Sequence, residues 1–404
     1  MFIMNPKKAN VPAVTPEEDY GDRWMRLIWN IDLLMKIFIL LPAKSIIRCK
    51  LVCKHWLALV SSEKFCHLHT LRSPKVQPSL LLNLNQRNPS SHIFNFDPIM
   101  NGEKLMIPYT FSVPNPTIIC SCNGLMLLKS DRTYETLYVY NPTTKLSRKI
   151  WVTDSYKDNI VALALIFDPS KSLHYKVVCI KSTVEDRIYP LKVDTCRIEV
   201  YDSESCAWKL SLRFVFPERL KLSGGYGGVY CNGWIYWEML DAVVYYDIAK
   251  NEFDCILKPS YSSYQFQTRM VHWDTTYCLH EANGRLYISR CLTKANECLS
   301  IELFELEMGE GGSLQWVLRH NETILQHEPT SPLTGYIDHL RVIKGPYGTE
   351  TCSVLYHMGG KISVYSFIDK SHNVLVDLTG QLFHMDVWGP ELKMYEFIAC
   401  LAVV

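Results

Sequence analysis

The chain has 404 residues, of which 48% are hydrophobic, and a formal net charge of +1. That is apolar material for a large core in two or three domains, although one all-β domain can absorb roughly 200–250 residues. No global field favours nucleic acid or an anionic membrane, and the fifteen cysteines are scattered without a repeated pair spacing, which fits reduced thiols of the cytoplasm or nucleus and not a disulfide framework.

Residues 1–21 mix Pro, Lys and acids without periodicity and read as a mobile arm, with no apolar run suited to a secretory signal. The longest apolar run, Ile37–Leu41, is far too short to span a membrane. A helical module is expected over 22–65. Leu33, Leu34, Ile37, Phe38 and Leu41 share one helix face; Asn30 suits the N-cap and Asp32 the first turn. Pro42 ends this helix and can open a second, in which Ile47, Leu51, Val52, Trp56, Leu59 and Val60 recur at helical spacing up to Ser61-Ser62. From Met35 to Phe65 the charges are Lys36, Lys44, Arg48, Lys50, Lys54 and Lys64 against Glu63. Apolar side chains ringed by basic ones suit a partner with an acidic, apolar groove. A helical cap packed on the rest of the chain, with a solvated basic face, is the alternative. Residues 66–78, with two prolines, read as a linker, and Cys66, His67 and His69 as structural residues, since three ligands so close with no fourth make a poor metal site.

Residues 79–404 are all-β in character: short runs of Val, Ile, Tyr, Phe and Leu between turn residues. Two half-units repeat. The first is a Gly turn before an apolar strand: Asn123-Gly124, Asn232-Gly233, Asn283-Gly284 and Gly359-Gly360. The second is strand, polar turn, strand, centred on Tyr140, Tyr201, Tyr246, Phe304 and Tyr365. The interval is near or somewhat above that of kelch or WD40 blades and predicts a β-propeller of about six blades, seven possible. Its ring is expected to close by pairing a strand near Leu80–Leu84 with C-terminal strands, the tail Phe397–Val404 among them. A two-sheet sandwich is the alternative.

The run from Asp32 to Trp56, DLLMKIFILLPAKSIIRCKLVCKHW, resembles an F-box, most closely that of the large plant family with a C-terminal F-box-associated domain. Ile118-ICSCNGLMLL followed by YVYNPTTKLSRKI, Phe167-DPSKSLHYKVVCI and Ile198-EVYDSESCAWKL are similar to the opening of that domain. The resemblance implies that Leu34, Ile37, Leu41, Pro42, Ile46, Val52 and Trp56 bind a Skp-type adaptor and, through it, a cullin–RING ubiquitin ligase. It implies a kelch-like propeller that holds an unknown protein substrate. The family usually opens with Leu-Pro, where this chain has Trp29-Asn30. The fold class is then α+β in separate domains, a small all-α F-box module followed by an all-β kelch-like propeller.

No catalytic residue, metal ligand or cofactor is expected. Ser223-GGYGG precedes a strand and not a helix, so it lacks the helix N-terminus a phosphate loop needs. It reads as a flexible loop between blades. Cys120 and Cys122 read as buried small residues. Propeller loops are the expected binding elements, and 258–268, with Tyr261, Tyr264 and Phe266 among polar residues, is the candidate substrate surface. The receptor would be non-catalytic, with no role for nucleic acid or membrane. A kelch-like scaffold, or a small-ligand or metal-binding propeller enzyme with a helical appendage, is the competing reading.

Overall fold

The computed structural model describes residues 30–72, 79–85, 92–96, 107–130, 136–152, 158–183, 195–215, 227–259, 275–294, 298–325, 337–343, 353–358, 361–377 and 391–404. The chain divides into two compact units, Met1–Pro74 and Lys75–Val404. The expected arm and the lead-in to Trp29 lie outside the described residues.

The first unit has helices α1 (Ile31–Ile39), α2 (Ala43–Cys49), α3 (Lys54–Ser61) and α4 (Glu63–Arg72). Asn30 caps α1, its Oδ1 accepting the Leu33 N–H at 3.1 Å. Pro42, at φ −58°, is the N-cap of α2. The expected second helix is in fact broken after Cys49, because Cys53 is extended (φ −160°) and its Sγ caps α3 by accepting the Trp56 N–H. Leu51 and Val52 therefore sit in the connection and not on a helix. The expected linker 66–78 is also corrected in part: residues 66–72 complete α4, which Ser62 opens by accepting the Phe65 N–H on its hydroxyl. Residues 73–78 are outside the described set.

Among the described residues, the second unit contains six four-stranded antiparallel sheets. From inner to outer strand, blade 1 is β24 (Glu391–Phe397), β1 (Ser79–Asn85), β2 (His92–Phe96) and β3 (Ile107–Pro108). Blade 2 is β4 (Pro116–Cys122), β5 (Leu125–Ser130), β6 (Thr136–Asn141) and β7 (Leu146–Trp151). Blade 3 is β8 (Asp158–Ile166), β9 (Lys176–Thr183), β10 (Thr195–Asp202) and β11 (Ala207–Val215). Blade 4 is β12 (Val229–Cys231), β13 (Trp234–Glu238), β14 (Ala242–Asp247) and β15 (Glu252–Leu257). Blade 5 is β16 (Thr275–Ala282), β17 (Arg285–Lys294), β18 (Cys298–Met308) and β19 (Leu314–Leu325). Blade 6 is β20 (Ile337–Ile343), β21 (Ser353–Met358), β22 (Lys361–Ser366) and β23 (His372–Asp377). The inner strands touch in cyclic order, β24 to β4, β4 to β8, β8 to β12, β12 to β16, β16 to β20 and β20 to β24, which closes a propeller.

The core lies between blades because a single four-stranded sheet buries neither face. Leu125, Leu127, Leu163, Leu165 and Val177 fill the space between blades 2 and 3. Ile198, Ile235, Trp237 and Tyr246 fill that between blades 3 and 4. Indole N–H groups stitch neighbours together: Trp237 to the Leu163 carbonyl at 3.1 Å, Trp208 to Trp151 at 2.8 Å and Trp316 to Leu257 at 3.0 Å. Of the expected Gly turns, three join first to second strands with Asn and Gly both at positive φ: Asn123 and Gly124 at 45° and 95°, Asn232 and Gly233 at 50° and 96°, Asn283 and Gly284 at 53° and 76°. Two of these Asn residues also donate to the next blade, Asn123 to the Phe167 carbonyl and Asn232 to that of Gly284. Gly359-Gly360 departs from the pattern. It precedes β22, the third strand of its blade, and itself lies outside the described residues.

Closure is by β24 pairing antiparallel with β1, Ser79 opposite Phe397 through Asn85 opposite Glu391. The tail beyond Phe397 is corrected: residues 398–404 are not a strand. They pack on blade 2, where the Asn141 side-chain N–H groups donate to the carbonyls of Cys400 (3.2 Å) and Ala402 (2.9 Å). A Cβ on Gly124 would lie 2.4 Å from the Ile398 oxygen.

Candidate functional site

In the helical unit the sequence-predicted residues divide by burial. Leu34 and Ile46 are buried with Phe38, Ala43, Val60 and Phe65 and make the internal core. Phe38 links the helices edge-on, 4.7 Å from the Trp56 ring centroid and 6.4 Å from that of Phe65. Trp56 is thus half-buried, and its indole N–H meets no acceptor among the described residues. Ile37, Pro42 and Val52 are exposed and Leu41 half-exposed. Val52 is 61% exposed, and Leu40 (67% exposed) and Leu51 (87%) extend the exposed apolar surface beyond the predicted set. Spacing alone puts Leu51 on a helix face; the break before Cys53 leaves it exposed in the connection. Around these residues Lys36, Lys44, Arg48 and Lys54 are exposed.

His69 holds α4 to the α1–α2 junction. Its Nε2–H donates to the Leu41 carbonyl at 2.8 Å, which leaves Nδ1 unprotonated and buried without a partner. Burial depresses its pKa below the usual 6.5, opposed by that hydrogen bond. The Cys66 thiol meets the Val60 carbonyl. Cys66 and His69 are therefore occupied within the helical core, and among the described residues no three His, Cys, Asp or Glu are grouped to hold a metal.

In the propeller, Tyr261, Tyr264 and Phe266 lie outside the described residues. The root of their loop is described. Lys258 is buried, its Nζ 2.8 Å from Glu238 Oε1 and 4.5 Å above the Tyr277 ring. The Tyr277 hydroxyl and the Arg290 guanidinium both donate to the Pro259 carbonyl, at 3.1 and 3.2 Å. Burial raises the Glu238 pKa, and Lys258 opposes the rise. This clamp between blades 4 and 5 anchors the loop. Periodicity could not show it, because its members come from four separate strands and loop ends.

The Gly-rich stretch ends in packed structure. A Cβ on Gly227 would lie 2.2 Å from the Ile119 oxygen and one on Gly228 2.6 Å from Trp237 Nε1, so these residues pass between blades where no side chain fits. Only 223–226 lie outside the described residues. Cys120 and Cys122 are buried at the end of β4. Burial pushes the Cys120 thiol up to about 12 and raises that of Cys122 as well, so neither is a thiolate at neutral pH.

Comparison with known families gives two matches. Residues 28–68 match the F-box domain, and residues 81–282 match the F-box associated beta propeller domain. The chain belongs to the F-box associated propeller family. The F-box is the helical unit, and the F-box associated domain covers the first blades of the ring and beyond. Among similar proteins of Arabidopsis thaliana, F-box protein At5g07610 is 25% identical over 389 residues, 91% of this chain and 89% of its own length. F-box/kelch-repeat protein At3g23880 is 24% identical over 247 residues, 55% of this chain and 63% of its own. F-box protein At3g07870 is 29% identical over 125 residues, 30% of this chain and 29% of its own.

Proposed function

We propose that this F-box protein is the non-catalytic substrate receptor of a Skp–cullin–F-box ubiquitin ligase. The exposed apolar face of the F-box, ringed by lysines and arginine, is the observation that carries the reading. Ile37, Leu41, Pro42 and Val52 supply contacts to a Skp-type adaptor, and Leu34, Ile46 and Trp56 hold that face in shape from below. The propeller carries the target on its loops, with 258–268 and its Tyr261, Tyr264 and Phe266 as the first candidate. Ubiquitin transfer is then chemistry of partner enzymes, and this chain supplies proximity and orientation. The reading puts the protein in the cytoplasm or nucleus.

Full-length protein carrying Ile37→Asp and Val52→Asp tests the docking face without entering the core. Helical circular dichroism should be unchanged, and affinity for a purified Skp-type adaptor should fall at least tenfold. Adaptor binding at wild-type strength would refute the assignment. The usual Leu-Pro is replaced by Trp29-Asn30, and Asn30 has a local task as the α1 cap. Asn30→Pro should therefore weaken the F-box fold, and it should not improve adaptor binding.

A further inference from the structure

A sheet edge is a row of unpaired backbone groups, and proteins blunt it by shortening, bulging or charging the strand. The outer strands of the propeller differ in which device they use. β3 has two residues. β11, β19 and β23 each carry a register shift against the strand inside them. Among the described residues, only β7 and β15 are outer strands six residues long in unbroken register, β7 with β6 from Thr136 opposite Trp151 to Asn141 opposite Leu146. Their charges are opposite. β15, Glu-Phe-Asp-Cys-Ile-Leu, is acidic with no base, and β7, Leu-Ser-Arg-Lys-Ile-Trp, is basic with no acid.

β7 is more than a charged guard. Leu146 and Trp151 are both exposed on it, and Lys149 Nζ sits 3.7 Å over the Trp151 ring. The Arg148 guanidinium is steadied beside the strand by the Cys206 sulfur at 3.0 Å. Lys145, in the turn before β7, adds another exposed cation. Trp208 occupies the Trp151 carbonyl, which marks one end of the open edge. On the third-to-fourth strand hairpin of blade 3, Asp202 is engaged by Lys176.

We propose that the β7 edge of blade 2 binds an extended, acidic segment of a partner protein by adding it as a fifth strand. Backbone hydrogen bonds supply affinity. Lys149 and Trp151 share one face of β7, and Leu146 and Arg148 the other, so an alternating segment with its carboxylates on the Lys149 face sets its apolar side chains on the Leu146 face, with Arg148 adding positive charge. The strand belongs to the propeller unit and not to the F-box, so its test does not depend on the ligase reading.

The probe is an acetylated octapeptide of alternating Glu and Val, with the Lys–Val octapeptide as control, titrated into the full-length protein by fluorescence anisotropy. The acidic peptide should bind at least tenfold more tightly than the basic one, should weaken with added salt, and should protect β7 amides from hydrogen exchange. Lys149→Glu with Arg148→Gln should cost at least tenfold, whereas Glu252→Lys with Asp254→Lys on β15 should cost nothing. Equal binding of both peptides, no loss in the β7 variant, or protection confined to another strand would overturn the proposal. So would self-association of the unliganded protein that both the β7 and the β15 variants abolish, since the occupant would then be the acidic edge of a second copy.

Discussion

Changing Asn141 to Asp alters one terminal group, yet it should damage the propeller more than removing the side chain. The Nδ2 group donates to two buried carbonyls, those of Cys400 and Ala402, while Oδ1 accepts the N–H groups of Thr143 and Thr144 at 2.9 and 3.3 Å. Asn141→Ala strands both carbonyls at about 1–3 kcal/mol each, and the turn N–H groups recover part of their loss from water, for a cost of roughly 3 kcal/mol. Asn141→Asp keeps the turn but aims a buried carboxylate oxygen at both carbonyls, so at pH 7 the cost should reach roughly 5 kcal/mol. That carboxyl would have a folded pKa above its unfolded value of about 3.9, so acidification restores stability as pH falls through the folded value. Asp247 occupies the matching turn of blade 4, where its Oδ1 accepts the N–H groups of Ala249 and Lys250, and Asp247→Asn should cost under ~1 kcal/mol. Urea midpoints of the full-length variants, read by tryptophan fluorescence at pH 7 and pH 5, decide the matter. An Asp variant as stable as wild type, or no more damaged than Ala at pH 7 and indifferent to pH, would refute the reasoning.

Gly124→Ala should also loosen the tail, because the new Cβ meets the Ile398 oxygen and the residue is held at φ +95°; about 2–4 kcal/mol and faster proteolysis after Phe397 are expected. His69 is neutral when folded and its pKa is depressed, so its contribution to the F-box is complete above the unfolded value near 6.5 and is lost as pH falls below it. Far-UV melting of the helices at pH 7.5 and 5.5 should show the drop, and His69→Phe should remove the pH dependence of this step. Native Cys120 should resist iodoacetamide at pH 8.5 while the unfolded chain reacts, as mass spectrometry of the peptide would report; alkylation at equal rates would contradict its burial. Trp237→Phe removes the donor to Leu163 and part of a fully buried ring, and a loss of about 2–4 kcal/mol in urea unfolding is expected.

Much of the ring was readable because its repeats are local. The turn after Asn141, Asp202 and Asp247 recurs in the third-to-fourth strand hairpins of blades 2, 3 and 4. The choice between Asn and Asp at that turn was not readable, since Asn141 answers to a tail more than two hundred and fifty positions later. Helix α4 was missed for a different reason: its buried face is Phe65, Cys66 and His69, and a histidine does not register as apolar until a carbonyl such as that of Leu41 accepts its proton. The proposed docking face was half legible. Helical spacing identifies apolar positions but cannot separate Leu34, which is inside, from Ile37, which is outside. Bulges in β11, β19 and β23 left no mark in composition, so the contrast that sets β7 and β15 apart belongs to register, and only the charge that separates those two is written in the sequence.

The pairing of β24 with β1 also sets a timetable. During synthesis the F-box is complete once residue 72 has emerged, whereas blade 1 waits with β1, β2 and β3 until Glu391–Phe397 arrives. For most of translation the nascent chain carries an open ring with two unfinished faces, which is the state most exposed to chaperones and to mispairing. A ribosome that stalls late in the message would then release a chain with a folded F-box and an unsealed propeller, and on the proposed function such a chain would occupy the adaptor with no finished substrate platform.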